Sequence, residues 1–377
     1  MDNPRVLIVL PNLNPGGAER LNLDLVGPLR SQGIDADIFS LLDTGILREE
    51  AEDRQIRLFR GGPDVPGIPG RLRGYLIGAV RLARVGRRYD VLVAGLEAVT
   101  PFVVLAAATV CRRPAVSQLH CMPKALYEQL GAKGRAFAIL TRLFYRRFKW
   151  NTTVTDAAGE ELASLGVPRS TIRTVPNGID FARIEGLAEE ELPNPDDDLP
   201  LVVAAGRLAP EKGYEVLIEA HGLARGRVPH RLMIFGQGPE RARLEALIRE
   251  LGLDDTAALA GYVPNHYPWI HRASLLCLSS YHEGMPLVLI EALALGTPVV
   301  ATRCSGGVVS LLGDGELGAL VEPGSPPALA EAIVAHLERP EEMRARAVRA
   351  GESARETWSI ETCAARHAEI ITSALRL

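Results

Sequence analysis

The chain has 377 residues, 47% of them hydrophobic and 23% charged, with a formal net charge of -4. That composition suits a soluble globular protein with a sizeable core, and the length favours two domains. The five cysteines (Cys111, Cys121, Cys277, Cys304 and Cys363) show no close pair and no ligand spacing, which argues against a disulfide framework and a structural zinc and fits a reduced, cytoplasmic protein.

The net charge hides an asymmetry. Residues 1–175 carry 24 Lys and Arg against 17 Asp and Glu, while the remainder carries 18 against 29. Within 54–150 the count is 18 against 4. A belt of that density points to an anionic partner such as a membrane surface, a phosphorylated acceptor or nucleic acid.

RVLIVL (5–10) reads as a strand, followed by a Gly-rich turn and an amphipathic helix that ends at Gly33. This is the form of the first unit of a doubly wound sheet. No charged leader precedes it, so no signal peptide is expected. Gly16 and Gly17 stand directly before the helix. Either they let backbone approach a ligand at a helix N-terminus, or they only make a tight turn. Neither GxGxxG nor GxxxxGK[ST] occurs there, which weakens dinucleotide and P-loop readings.

Further strands are expected at 35–42, 90–95, 114–120 and 151–157, several of them separated by helical patterns. Such alternation implies a parallel sheet covered on both faces. GGPDVPGIPG (61–70) reads as a loop before a basic helix. The apolar stretch 98–111 is too short to span a bilayer and contains Pro101. His120 closes a strand, where α/β sheets place ligands, although a lone His is more often structural. KGRAFAILTRLFYRRFKW (133–150) puts Arg135, Arg142, Arg146 and Lys149 on one helical side and Phe137, Leu140, Phe144 and Phe148 on the other. Two readings stand: a packed helix with a solvated basic face, or a face that meets anionic lipid with Trp150 at its end.

VPNGID (175–180) is a turn signal after a strand, and the acidic, Pro-rich stretch 188–200 marks a boundary. The expected division is an N-terminal domain over 1–182, a linker over 183–200, a second domain over 201–354 and a tail over 355–377. The second strand–helix series begins with LVVAAGR (201–207) and reads as another Rossmann-like sheet. Arg207 at a strand end and Lys212 in the following loop suit a diphosphate, or are two surface charges. GQGP supplies Gly236 and Gly238 in another strand-to-helix turn. SSYHEGMPLVLIEALALGTPVV (279–300) runs from a strand end into an apolar helix, with Pro286 at its first turn, Glu283 just outside and Glu291 within. A carboxylate at Glu291 is costly unless paired. Its partner is either a ligand bearing hydroxyls or a buried Arg or backbone cap.

NPGGAER, GRLAPEKG, GQGPE, GYVP and HEGMPLVLIEALALGTPVVAT, in this order, resemble the retaining glycosyltransferases of family 4. The resemblance covers nearly the whole chain, strongly in the second half and thinly between 35 and 150. It implies a GT-B fold: α/β, with two Rossmann-like doubly wound parallel sheets facing across a cleft. It also implies a sugar moved from a nucleotide-diphosphate donor, UDP-sugar favoured, to a hydroxyl acceptor of a lipid-linked or cell-envelope glycan. Arg207 and Lys212 would hold the diphosphate, Glu291 the ribose and Glu283 the transferred sugar. His120 would face that sugar, and Gly16 and Gly17 would line the cleft. Gly236, Gly238, Tyr262, Val263, Gly284, Met285 and Leu287 would complete the nucleotide site. The tail would cross back onto the first domain. No cofactor and no catalytic metal are expected.

The sequence departs from the family at Ser310, where an acidic residue is frequent, and at Cys121, where an Asp is common. Three other readings compete. A nucleotide-sugar epimerase of this fold would need an acid/base set that is not visible. A non-catalytic scaffold would be expected to have lost Arg207, Lys212 or Glu291. A nucleic-acid binder is disfavoured, because the basic belt lacks interleaved aromatics in a recognisable motif. The expected location is cytoplasmic, peripheral on an anionic membrane face through residues 54–150.

Overall fold

The computed structural model describes residues 3–376 except 98, 125, 126, 128–130 and 193–198. The chain folds as two units, one running to Gly178 with the tail from Ile360 added, the other spanning Ile179–Ser359.

The first unit is a seven-stranded sheet of order β3-β2-β1-β4-β5-β6-β7. Its strands are β1 (Arg5–Leu10), β2 (Asp35–Leu42), β3 (Leu58–Gly62), β4 (Val91–Ala94), β5 (Ala115–Leu119), β6 (Trp150–Thr153) and β7 (Ile172–Thr174). All pairings are parallel, for example Val6 with Ala36 on one side of β1 and with Val91 on the other. Runs of Val, Ile and Leu suit strands buried on both faces. Right-handed crossovers then fix the helices. The connections from β3 to β4, β4 to β5 and β5 to β6 all advance in one direction. Their helices Ile68–Val85, Thr100–Cys111 and Gly131–Phe144 therefore share a face. One core joins Leu82, Val104, Leu105 and Tyr145 to Leu7, Val9 and Leu92 of the sheet. On the other face, helix Gly17–Ser31 packs with the tail helix Ile360–Arg376.

The second unit is a six-stranded parallel sheet of order β10-β9-β8-β11-β12-β13. It comprises β8 (Leu201–Ala205), β9 (Arg231–Phe235), β10 (Ala257–Gly261), β11 (Leu275–Leu278), β12 (Val299–Thr302) and β13 (Ala319–Val321). Its core gathers Val202, Ala204, Ile234, Leu275 and Val300 under Leu217, Leu244 and Ile333.

Several expectations are corrected. The loop read at 61–70 is shared between β3, which takes Gly61 and Gly62, and helix Ile68–Val85. A side chain at Gly62 would stand 2.0 Å from the Gly74 carbonyl oxygen, so these glycines serve close helix–strand packing, not only a turn. The strand read at 151–157 stops at Thr153, because Thr155 caps a helix from Asp156 by accepting from the Ala158 amide. The segment 133–150 is not one helix. It ends at Phe144, passes through a 3-10 turn at Tyr145–Arg147, and continues as β6. Trp150 is therefore a strand residue with the Arg173 guanidinium 4.1 Å over its ring, not a helix end. The first unit stops at Gly178, and the second begins with a helix Phe181–Ala188 capped by Asp180. That helix packs on helices Tyr267–Arg272 and Leu287–Ala294, which is why it belongs to the second unit and not to a linker. Part of the acidic stretch, 193–198, lies outside the described residues.

Candidate active site

In the second unit β8 and β11 are neighbours, yet the chain leaves them in opposite directions, toward β9 and β12. Ligands of open α/β sheets bind outside the strand C-termini at such a switch point. Two loops meet there, 206–213 after β8 and 279–286 after β11.

Their backbones are stitched together. The Ser279 hydroxyl donates to the Lys212 carbonyl (2.9 Å), and the Tyr281 amide donates to the Glu211 carbonyl (2.8 Å). Gly213 turns the chain at φ +57°, and a Cβ there would lie 2.4 Å from the Ser279 carbonyl oxygen. Only glycine fits both demands. The turn delivers Lys212 onto the end of β11, where its ammonium donates to Glu283 Oε1 at 2.6 Å. The Ser280 hydroxyl donates to the same oxygen at 2.7 Å. With side chains 19% and 12% exposed, Lys212 and Glu283 form a largely buried, charge-assisted pair. An ammonium has three donors, so this bond leaves Lys212 able to reach an anion as well.

Arg207 is different. It is exposed and paired with Glu211 four residues on. Gly236 and Gly238 support its loop. Added Cβ atoms would lie 1.9 Å from the Gly206 carbonyl oxygen and 2.2 Å from that of Leu208. The Leu208 amide donates to Gln237 O (2.9 Å), and Glu240 N donates back to Leu208 O (3.0 Å). These glycines are thus required by backbone packing beneath the Arg207 loop.

Glu291 is 6% exposed within helix Leu287–Ala294. Among the described residues its carboxylate has neither an Arg nor a backbone cap. The Tyr267 hydroxyl donates to Oε1 at a long 3.4 Å, and His266 Nε2 stands 3.8 Å from Oε2, beyond hydrogen-bond range. A buried carboxylate with so few short partners retains capacity to accept from ligand hydroxyls. Pro286 is the N-cap, in extended conformation, one position earlier than its expected place in the first turn. Gly284 and Met285 are buried and Leu287 half-buried. Ser305 joins them by donating to the Gly284 carbonyl (3.4 Å). Tyr262 and Val263 are half-buried just after β10, where Gly261 turns at φ +79°.

The first unit has its own switch point, between β1 and β4. Gly16 N-caps helix Gly17–Ser31 in extended conformation. A Cβ there would meet only the flexible Glu19 carboxylate, so local packing does not demand glycine. Asn22 ties the helix to the end of β4 by donating to Gly95 O (3.0 Å). His120 follows β5, its amide donating to Glu97 Oε2 at 3.2 Å. Both His120 ring nitrogens are buried and make no hydrogen bond of good geometry. Burial holds its pKa below the usual imidazole range, opposed by the Glu97 charge and by the Asn177 side chain and Gly95 backbone facing it. The tail helix brings His367 nearby, pushed down to about 3 by burial and then by His120. Cys121 is held well above the usual thiol range by burial and by Glu97, so it stays a thiol.

Of the residues singled out in the sequence, the structure joins Lys212 to Glu283 and places Glu291 on the same loop–helix element. Gly16, Gly17 and His120 belong to the first unit. Ser280, His266, Tyr267, Glu97, Asn177 and His367 escaped the sequence reading. Asn177 lies inside VPNGID, read only as a turn, and His266 and Tyr267 follow directly on GYVP.

Residues 188–354 match the family model of glycosyl transferases group 1, and residues 15–183 match that of glycosyltransferase family 4. The lipopolysaccharide core biosynthesis glycosyltransferase LpsE of Rhizobium meliloti is 34% identical over 197 residues, 51% of this chain and 55% of that protein. The 2-deoxystreptamine glucosyltransferase of Streptomyces kanamyceticus is 29% identical over 248 residues, 62% of this chain and 64% of its own. The chain thus spans between about half and two thirds of the length of these relatives. Among solved structures, HepE of Anabaena in complex with UDP and glucose superposes with a TM-score of 0.82 at 22% identity, covering 98% of this chain and 100% of that one. That likeness shows the fold, GT-B, with two parallel-sheet α/β domains.

Proposed function

This chain belongs to the family 4 glycosyltransferases, and we propose that it moves a sugar, with retention at the anomeric carbon, from a nucleotide-diphosphate donor to a hydroxyl of a cell-envelope glycan. The observation that carries the proposal is the buried Lys212–Glu283 pair at the switch point of the second sheet. Breaking the sugar–phosphate bond leaves positive charge on the sugar and a diphosphate anion. A fixed ammonium with free donors at a strand edge stabilises that anion without reorganising. Arg207, exposed and free to swing from Glu211, supplies a second cation. Glu291 accepts from the ribose hydroxyls, and Glu283, oriented by Lys212 and Ser280, stands toward the transferred sugar. On the first unit, His120 stays neutral at pH 7 and offers a ring N–H or lone pair to a sugar hydroxyl. Gly16 and Gly17 leave the start of their helix open to an acceptor.

UDP is the favoured nucleotide, since the superposed HepE structure holds UDP and glucose. A lipid-linked acceptor is favoured because the name of one relative refers to the core of a lipopolysaccharide, a glycan carried on lipid. On this reading the transfer uses the nucleotide-sugar as co-substrate and no metal or cofactor.

The test is a nucleotide-sugar panel read by thermal shift and saturation-transfer NMR, followed by acceptor trials with the best donor. Stabilisation by UDP and one UDP-sugar, with none by UMP, is expected. No response to any nucleoside diphosphate, or an inverted anomer in the product, overturns the assignment.

A further inference from the structure

Three neighbouring helices of the first unit turn apolar side chains away from their own core. Helix Ile68–Val85 buries Gly74, Gly78 and Leu82 against the sheet. Its opposite face carries Leu72, Leu76 and Val80, which are 59%, 61% and 54% exposed. Their spacing of four residues sets them in one outward stripe. Helix Gly131–Phe144 repeats the arrangement. Gly134 and Thr141 are buried, while Ile139 and Leu143 point outward at 61% and 55% exposure. Helix Thr100–Cys111 lies between the two. It packs on the first, and its Phe102 meets Phe144 of the third edge-on with ring centroids 5.3 Å apart. It presents exposed Val110 on its own outer side.

An amphipathic helix on a globular core normally shows the reverse pattern, apolar in and polar out. Contiguous exposed aliphatic stripes on adjacent helices mark a surface that something covers. The rim indicates what. Arg73 and Arg84 flank the Leu72–Val80 stripe, and Arg135 and Arg142 flank the Ile139–Leu143 stripe. All four are exposed, and among the described residues none makes an ion pair with a carboxylate. They belong to a belt in which 18 basic residues face 4 acidic ones.

We propose that this three-helix face docks on an anionic lipid bilayer, the aliphatic stripes entering the headgroup boundary and the guanidinium rim meeting lipid phosphates. Aliphatic residues flanked by Arg are the composition that binds such interfaces. A second copy of the chain fits poorly: two-fold symmetry would set the arginine rim against itself. No helix among the described residues is long and apolar enough to cross a membrane, so contact is from the surface. The sequence put Arg135, Arg142, Arg146 and Lys149 on the side that would meet lipid, with Trp150 at its end. Arg135 and Arg142 lie on that helix and join the rim, whereas Arg146, Lys149 and Trp150 lie beyond the helix end, and the apolar part of the docking face is set by Leu72, Leu76, Val80, Ile139 and Leu143.

The inference does not use the donor site, so the two readings fail separately. The full chain is sedimented with vesicles of phosphatidylcholine alone or mixed with phosphatidylglycerol, at low and high salt. Binding to the anionic vesicles that weakens with salt is expected. Leu76→Glu with Ile139→Glu, and separately Arg73→Glu with Arg84→Glu, should each lower the partition by roughly tenfold or more. Both variants should keep the wild-type Tm and the UDP-induced shift, which reports folding and the donor site. The proposal is overturned by no partition at low salt or by equal partition of the variants. A dimer in light scattering that Leu76→Glu dissolves would also overturn it.

Discussion

The C-terminal ends of β11 and β5 both present polar side chains of the candidate sites, under opposite conditions. After β11, the polar groups satisfy one another: Lys212 and Ser280 donate to one Glu283 carboxylate oxygen, and one hydroxyl-to-backbone bond and one backbone–backbone bond clamp their loops. After β5, His120 is held by packing, with its ring nitrogens buried and without well-formed hydrogen bonds. The first arrangement is preorganised for a fixed charge, the kind a leaving diphosphate needs. The second keeps an imidazole neutral and leaves its polar atoms for a partner that arrives. A buried polar group left without a good bond costs stability, and such costs are found where function needs them.

The sharpest way to break this contrast is at its two cations. Lys212→Ala should lower kcat by about 10²–10³-fold, the scale of losing one preorganised charge-stabilising group. It should also lower Tm, because Glu283 is left buried with Ser280 alone. Arg207→Ala should lower kcat as well but leave Tm unchanged, since an exposed pair such as Arg207–Glu211 adds roughly 0–1 kcal/mol. Steady-state kinetics beside thermal melts separates the two effects. Full activity in either variant would refute the role given to these cations.

The next effect is acid sensitivity in both units. In the second, His221 Nδ1 lies 2.9 Å from His230 Nε2 and its pKa is pushed down to about 3, by burial and then by His230. In the first, His367 is pushed to about 3 in the same way. A His with a lowered folded pKa releases its proton on folding, so its stabilising contribution is full above the unfolded pKa of about 6.5. The contribution falls away as pH drops toward the folded pKa. Tm should therefore decline from about pH 6.5 downward, with each site contributing on the order of a few kcal/mol by pH 3. Replacing His221 and His230 together by Leu should flatten the second unit's share. A Tm that is level over this window would contradict the burial argument.

Two glycines provide the smallest test. Gly238→Ala drives a Cβ to 2.2 Å from the Leu208 carbonyl oxygen, a backbone group that cannot move aside cheaply. A loss of about 1–3 kcal/mol is expected, with lower activity as the Arg207 loop shifts. Gly16→Ala meets only the Glu19 side chain, so stability should change by less than about 0.5 kcal/mol. Any rate loss in Gly16→Ala would then report substrate approach, not folding. Denaturant melts paired with kinetics decide both.

Much of this molecule was legible in the chain. Both sheets follow from apolar strand runs separated by helical periods, whereas the Lys212–Glu283 pair was not foreseen: the sequence grouped Lys212 with Arg207, which the structure pairs with Glu211 instead. What escaped shares one physical cause. The strand at Leu58–Gly62 was hidden because its glycines read as loop, whereas they are required by the Leu41 and Gly74 backbones packed on them. The helix read across 133–150 broke at Phe144 because β6 claims Trp150 for the sheet. Glu97, Asn177 and His367 were invisible as neighbours of His120, since they lie on three segments far apart in sequence.

The sequence by itself determined most of the local alphabet: most strands and helices, and which residue types could hold a diphosphate and a ribose. These depend on periodicity and short-range sterics, which a linear reading carries. The tertiary structure decided which side of each helix faces out, and which distant polar groups share one oxygen or one buried ring. It turned Leu72, Leu76 and Val80 to the solvent although their spacing alone would have put them in a core. Helix facing is fixed by the sheet to which the crossover returns, and only the folded topology sets that.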